Sequence, residues 1–74
     1  MRLRQVFATN VRKFRKAKDW SQEELAEQAG LHRTYISIVE RGLKNISLDN
    51  IEAIADALSE PASTLLESAG RKTK

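Results

Sequence analysis

The chain has 74 residues, 41% of them hydrophobic and 31% charged, with a formal net charge of +3, which bounds it to one small globular domain with a limited core. It has no cysteine and a single histidine, His32, so disulfides, thiolate metal sites, thiol catalysis and a histidine-rich metal centre are all excluded. No apolar run approaches the roughly 20 residues needed to cross a bilayer.

The charge is unevenly distributed. Residues 1–18 hold seven Arg/Lys and no acid, residues 19–67 carry a net charge of −7, and the last segment returns +3 through Arg71, Lys72 and Lys74. A basic block of this kind is a footprint of polyanion binding, although a solvated helix face gives the same composition. Met1 leads into that block without an apolar signal core, which points away from secretion and toward a cytoplasmic, nucleoid-associated protein.

Five helices are predicted in chain order. Leu3, Val6, Phe7, Val11 and Phe14 recur at helical spacing and predict helix 1 over about Leu3–Ala17, with most of its cations on the opposite side. Asp19-Trp20 is a short connection. Ser21 and Glu24 form a Ser-x-x-Glu capping box that starts helix 2, which runs to Ala29 and ends at Gly30. Helix 3 begins at His32, runs to about Arg41 and stops at Gly42. Ser47 is an N-cap for helix 4, over Leu48–Leu58, whose apolar stripe is Leu48, Ile51, Ile54, Ala55 and Leu58. Pro61 sits in the first turn of a short helix 5 carrying Leu65 and Leu66. Residues 1–68 form the domain, and residues 69–74 form a flexible basic tail.

Residues 22–41 carry the most specific pattern. Leu25, Ala29, Leu31, Ile36 and Val39 are its apolar set, and Ala26 and Gly30 are small where bulk would obstruct a tight two-helix turn. On a helical wheel Tyr35, Val39 and Glu40 lie within roughly 100° of Ile36. Thr34, Ser37, Ile38 and Arg41 lie opposite, and Arg33 projects near the N-terminal end of that strip. A helix of this design presents its N-terminal end to the major groove of duplex DNA. Arg33 has the donors for guanine, Thr34 offers a hydroxyl and a methyl, Ser37 permits close approach, and Ile38 matches a thymine methyl or packs against a neighbour. Gln22, Tyr35, Arg41, Lys44, Asn45 and Ser47 are candidates for phosphate contact, which sets register rather than sequence choice. Tyr35 reads equally well as a satisfied core tyrosine.

The segment WSQEELAEQAGLHRTYISIVERG resembles the helix-turn-helix of the phage-repressor and Cro class, the XRE family, and the resemblance extends over roughly residues 3–67. It implies an all-α, five-helix, lambda-repressor-like domain that binds a pseudo-palindromic operator as a homodimer and regulates transcription. In that pattern Gln22, Arg33, Thr34, Ser37 and Ile38 lie at the DNA, Asn45 falls in the phosphate-contacting loop, and Arg15 pairs with Glu40. HRTYIS-x-x-ERG is most similar to the controller proteins of restriction–modification systems, which are autoregulators. A phage-type repressor, an antitoxin repressing its own operon, and a helical interaction module without DNA binding are the alternatives. The dimer surface is expected on the apolar C-terminal part, through Ile46, Ile51, Leu65 and Leu66. An activator in addition implies contact with RNA polymerase, for which Glu23, Glu24 and Glu27 are candidates. No catalytic, metal or cofactor constellation is visible, so the chain is expected to be no enzyme and to need no cofactor.

Overall fold

A computed structural model describes residues 2–68. It is all-helical, with α1 over Leu3–Ala17, α2 over Gln22–Ala29, α3 over Arg33–Glu40, α4 over Leu48–Leu58 and α5 over Ala62–Leu65. The expected tail, residues 69–74, lies outside the described residues.

The start signals work through the side chains that predicted them. Ser21 Oγ accepts from the Glu24 N–H at 3.0 Å while Glu24 Oε1 accepts from the Ser21 N–H at 3.3 Å, closing the capping box of α2. Ser47 Oγ accepts from the Asn50 N–H at 3.1 Å at the start of α4. Pro61 is the N-cap of α5 and not its first helical residue, and that helix has only four residues, so Leu66 lies beyond its end.

Helices α1 to α4 all end by the same device. An N–H just past the helix reaches back to a carbonyl five residues earlier: Trp20 to Arg15, Leu31 to Ala26, Leu43 to Ile38 and Glu60 to Ala55. Each closure needs one left-handed residue, and these are Asp19 (φ 59°), Gly30 (71°), Gly42 (67°) and Ser59 (59°). Gly30 and Gly42 were legible as stops; Asp19 and Ser59 do the same job with a Cβ. A side chain at Gly30 would meet nothing within 4 Å. The requirement there is the left-handed backbone expected of a helix-ending glycine, and not a lack of room for a side chain. Because left-handed backbone strains an L-residue, Ser59→Gly is expected to stabilise the fold by about 0.5–1 kcal/mol after allowing for the freer unfolded chain. Calorimetry would read this as a melting temperature raised by about 2–8 °C.

The core is one cluster: Phe7 and Val11 of α1, Leu25 and Ala26 of α2, Ile36 and Val39 of α3, Ile51, Ile54, Ala55 and Leu58 of α4, and Leu65 of α5. Leu3 and Leu48, expected on the apolar stripes of their helices, are exposed instead because each is the first residue of its helix and projects past the bundle. Asn10, which the apolar spacing of α1 does not reveal, is buried and uses both amide hydrogens, donating to the carbonyls of Leu65 and Glu67 at 2.8 Å each. It thereby holds the end of a helix too short to stand alone. Asn10→Leu leaves those carbonyls without that donor, and a loss of about 1–3 kcal/mol is expected in urea denaturation.

Candidate nucleic-acid interface

The interface begins with what fixes α3. Its inner face is Ile36, Val39 and Glu40, all buried. Ala26, a buried methyl in the middle of α2, contributes to the same cluster as Ile36 and Val39. Glu40 is a carboxylate only 4% exposed, and burying such a charge is tolerable only with full pairing. Arg15 supplies it bidentately, with Nε to Oε2 at 2.6 Å and Nη2 to Oε1 at 2.9 Å. Gln22 Nε2 adds a third bond to Oε1 at 3.1 Å. The remaining Arg15 amino group, Nη1, donates to the Trp20 carbonyl at 2.8 Å, which the left-handed turn at Asp19 brings within reach. Arg12 Nη2 donates to the Glu40 carbonyl at 3.2 Å. Hydrogen bonding to Glu40 holds the Arg15 guanidinium above its ordinary pKa, against the opposing effect of burial. One carboxylate thus ties the end of α3 to α1 and to the start of α2.

The outer face is free of these ties. Arg33 and Thr34 are exposed, Ser37 and Ile38 are half-buried, and Arg41 is exposed just past the helix end. Ile38 therefore has part of its side chain covered by the bundle and part turned outward. His32, expected to begin the helix, is its N-cap and makes no side-chain cap bond.

Tyr35 is half-buried, and its hydroxyl accepts from Asn50 Nδ2 at 3.0 Å. The hydroxyl keeps its own proton to donate, so the two readings of Tyr35, core residue and anion donor, are compatible. Gln22 is also half-buried, with one amide hydrogen engaged by Glu40 and further amide capacity remaining. Lys44, Asn45 and Ser47 are exposed in the segment between α3 and α4. Asn50 and Arg12 were not singled out from sequence. Arg12 was findable, since residues 12, 15 and 16 share one face of a helix; nothing in the pattern joins Asn50 to Tyr35.

The expected dimer residues separate into two groups. Leu65 is 0% exposed and closes the core of the single chain, while Ile51, 9% exposed, belongs to the core and reaches the surface only at one groove. Ile46 and Leu66 are half-buried and, with Leu3, Phe7 and Ile51, line an apolar groove. Among the described residues no cluster of His, Asp and Glu is arranged to hold a metal ion, and no helix is long and apolar enough to cross a membrane.

Residues 11–65 match the helix-turn-helix family. The chain belongs to that family. Its helix-turn-helix is similar to that of a hypothetical transcription factor of Neisseria meningitidis serogroup B, at 59% identity over 64 residues, 86% of this chain and 60% of that protein. It is 50% identical over 66 residues to the control protein C.BamHI of Bacillus amyloliquefaciens, covering 88% of this chain and 82% of the relative. Among solved structures, the restriction–modification controller protein C.AhdI of Aeromonas hydrophila superposes with a TM-score of 0.81 at 44% identity, over 84% of this chain and 94% of that one. The lambda-repressor-like architecture expected from sequence is the architecture observed, and the relatives are named as transcription and control proteins, none of them as an enzyme.

Proposed function

We propose that this helix-turn-helix chain is a sequence-specific, double-stranded-DNA-binding transcription regulator of a restriction–modification operon. The observation that carries the reading is the two-faced α3. Its inner face is locked by the buried Arg15–Glu40 pair, and its outer strip, starting at exposed Arg33 and Thr34, makes no side-chain hydrogen bond within the described residues. The similarity to control proteins supports the choice of operon.

Arg33 and Thr34 read base edges, Ser37 allows close approach, and the outward part of Ile38 meets a thymine methyl. Gln22, Tyr35, Arg41, Lys44, Asn45 and Ser47 contact phosphates. A reading helix of eight residues is about 12 Å long and covers only a few base pairs, so the operator is a pseudo-palindrome bound by two copies. The surface available for that pairing is the groove with Ile46 and Leu66, flanked by exposed Leu3. Glu23, Glu24 and Glu27 are exposed on α2 and form the acidic surface for RNA polymerase, with Glu24 also closing the capping box. Such a protein resides on the nucleoid.

Selection of bound duplexes from a random library tests the reading. An inverted repeat is expected from the unaltered chain, and Arg33→Ala is expected to lose a guanine preference with an affinity cost of about 1–3 kcal/mol. Enrichment of no sequence, with binding that only fades as salt rises, would overturn the regulator.

A further inference from the structure

Helix α3 packs chiefly against α1 and α2, and the bonds to Glu40 tie its end to those same two helices. Among the described residues one side-chain hydrogen bond joins it to α4, the one from Asn50 Nδ2 to the Tyr35 hydroxyl at 3.0 Å. Asn50 is the third residue of α4, and its own N–H donates to Ser47 Oγ at 3.1 Å, so the helix cap fixes the backbone that carries the amide. On the wheel of α3 Tyr35 lies about 60° from Ile38, at the flank of the outward strip. Its hydroxyl is therefore held at the start of α4, linked through Asn50 to Ser47 and the exposed segment before it.

The polarity of that bond decides what the hydroxyl can do. A tyrosine hydroxyl has one proton to give and lone pairs to accept with, and an asparagine can meet it with either its amide hydrogens or its carbonyl. Here an amide hydrogen faces it. The phenolic proton is left for another acceptor, and a hydroxyl that accepts one bond donates the next more strongly. We propose that Asn50 is a positioning residue for DNA binding, which makes the Tyr35 hydroxyl a donor directed away from the protein. The proposal rests on the phosphate role given to Tyr35 above and adds to it the residue of α4 that sets the direction of the donor. Asn50 acts through Tyr35, so its effect depends on the presence of that hydroxyl.

Asn50→Asp tests this, because the carboxylate has nearly the same shape but only accepts, and so draws the phenolic proton inward. An acid in the first turn of a helix is favourable, so the variant is expected to melt no lower than the unaltered chain. Binding is measured for the four chains of a double-mutant cycle with Tyr35→Phe, on a duplex selected by the unaltered protein. Tyr35→Phe alone is expected to weaken binding about tenfold, the loss of one hydrogen bond to a charged group. Asn50→Asp is expected to cost about tenfold more with Tyr35 present than in the Tyr35→Phe background, where only its added negative charge acts. Equal losses in the two backgrounds would overturn the positioning role and leave the Tyr35 contact standing. A melting temperature lowered enough to account for the lost binding would make the bond a structural tie and overturn the role as well. Undiminished binding by Tyr35→Phe would remove the phosphate contact and the proposal with it. Absence of duplex binding by the unaltered chain would instead overturn the regulator reading.

Discussion

Glu40→Ala is expected to lower folding stability by about 3–5 kcal/mol, the cost of leaving a buried charge without its partner. The carboxylate accepts two bonds from Arg15 and one from Gln22 in a site where the two charged side chains are 10% and 3% exposed. Removing it strands the guanidinium beside the core. A chain of 74 residues at about 0.05–0.15 kcal/mol per residue has a total of only about 4–11 kcal/mol, so this one substitution brings the protein close to unfolding. The double variant Arg15→Met, Glu40→Leu is expected to recover most of the loss, because an apolar pair needs no charge compensation. Urea denaturation of both variants checks the claim, and a loss below about 1 kcal/mol for Glu40→Ala would mean that the pair behaves as a solvated one. Arg15 adds no pH dependence near neutrality. Glu40 raises the pKa of Arg15 in the folded state, so its contribution is complete below the ordinary arginine pKa and is lost only as the pH rises through the still higher folded value.

Leu65→Asp is expected to abolish folding rather than to separate subunits. Leu65 is fully buried in the core cluster, and its own carbonyl accepts from Asn10. Loss of the side chain from a packed core alone costs about 2–5 kcal/mol, and an uncompensated carboxylate in its place adds to that. Circular dichroism should show no cooperative melt. Leu66→Asp, at a half-buried position on the groove, is the contrasting variant: it is expected to melt cooperatively and to sediment as a monomer. A cooperative melt for Leu65→Asp would place that side chain outside the core and refute its assignment there.

The sequence-level reading succeeded where one residue type has one physical use. Ser21 with Glu24, and Ser47, mark helix starts because their hydroxyls sit where free N–H groups need acceptors. The bounds of α1, α2 and α4 follow from those signals and from apolar spacing. It failed where position along a helix mattered more than periodicity. Leu48 keeps the phase of its stripe but is 82% exposed at the first turn. Leu65 and Leu66 are adjacent leucines, and spacing alone does not say which one closes the core. Asp19 and Ser59 stop helices without the glycine that announces a left-handed residue. At the candidate interface, Arg33 and Thr34 were readable as an exposed strip, whereas the bonds from Asn50 to Tyr35 and from Gln22 to Glu40 join residues that no local pattern relates.

Arg33 and Thr34 are exposed and take no part in the buried network that positions their helix. Exposed substitutions away from packing and capping sites usually change stability by no more than about 0.5 kcal/mol. On the base-reading role proposed for them, lineages that exchange these two residues acquire a new recognition sequence in single steps without passing through an unfolded intermediate. An engineer has the same freedom: the proposed reading positions form an alphabet that can be rewritten while Arg15, Gln22 and Glu40 are left as they are.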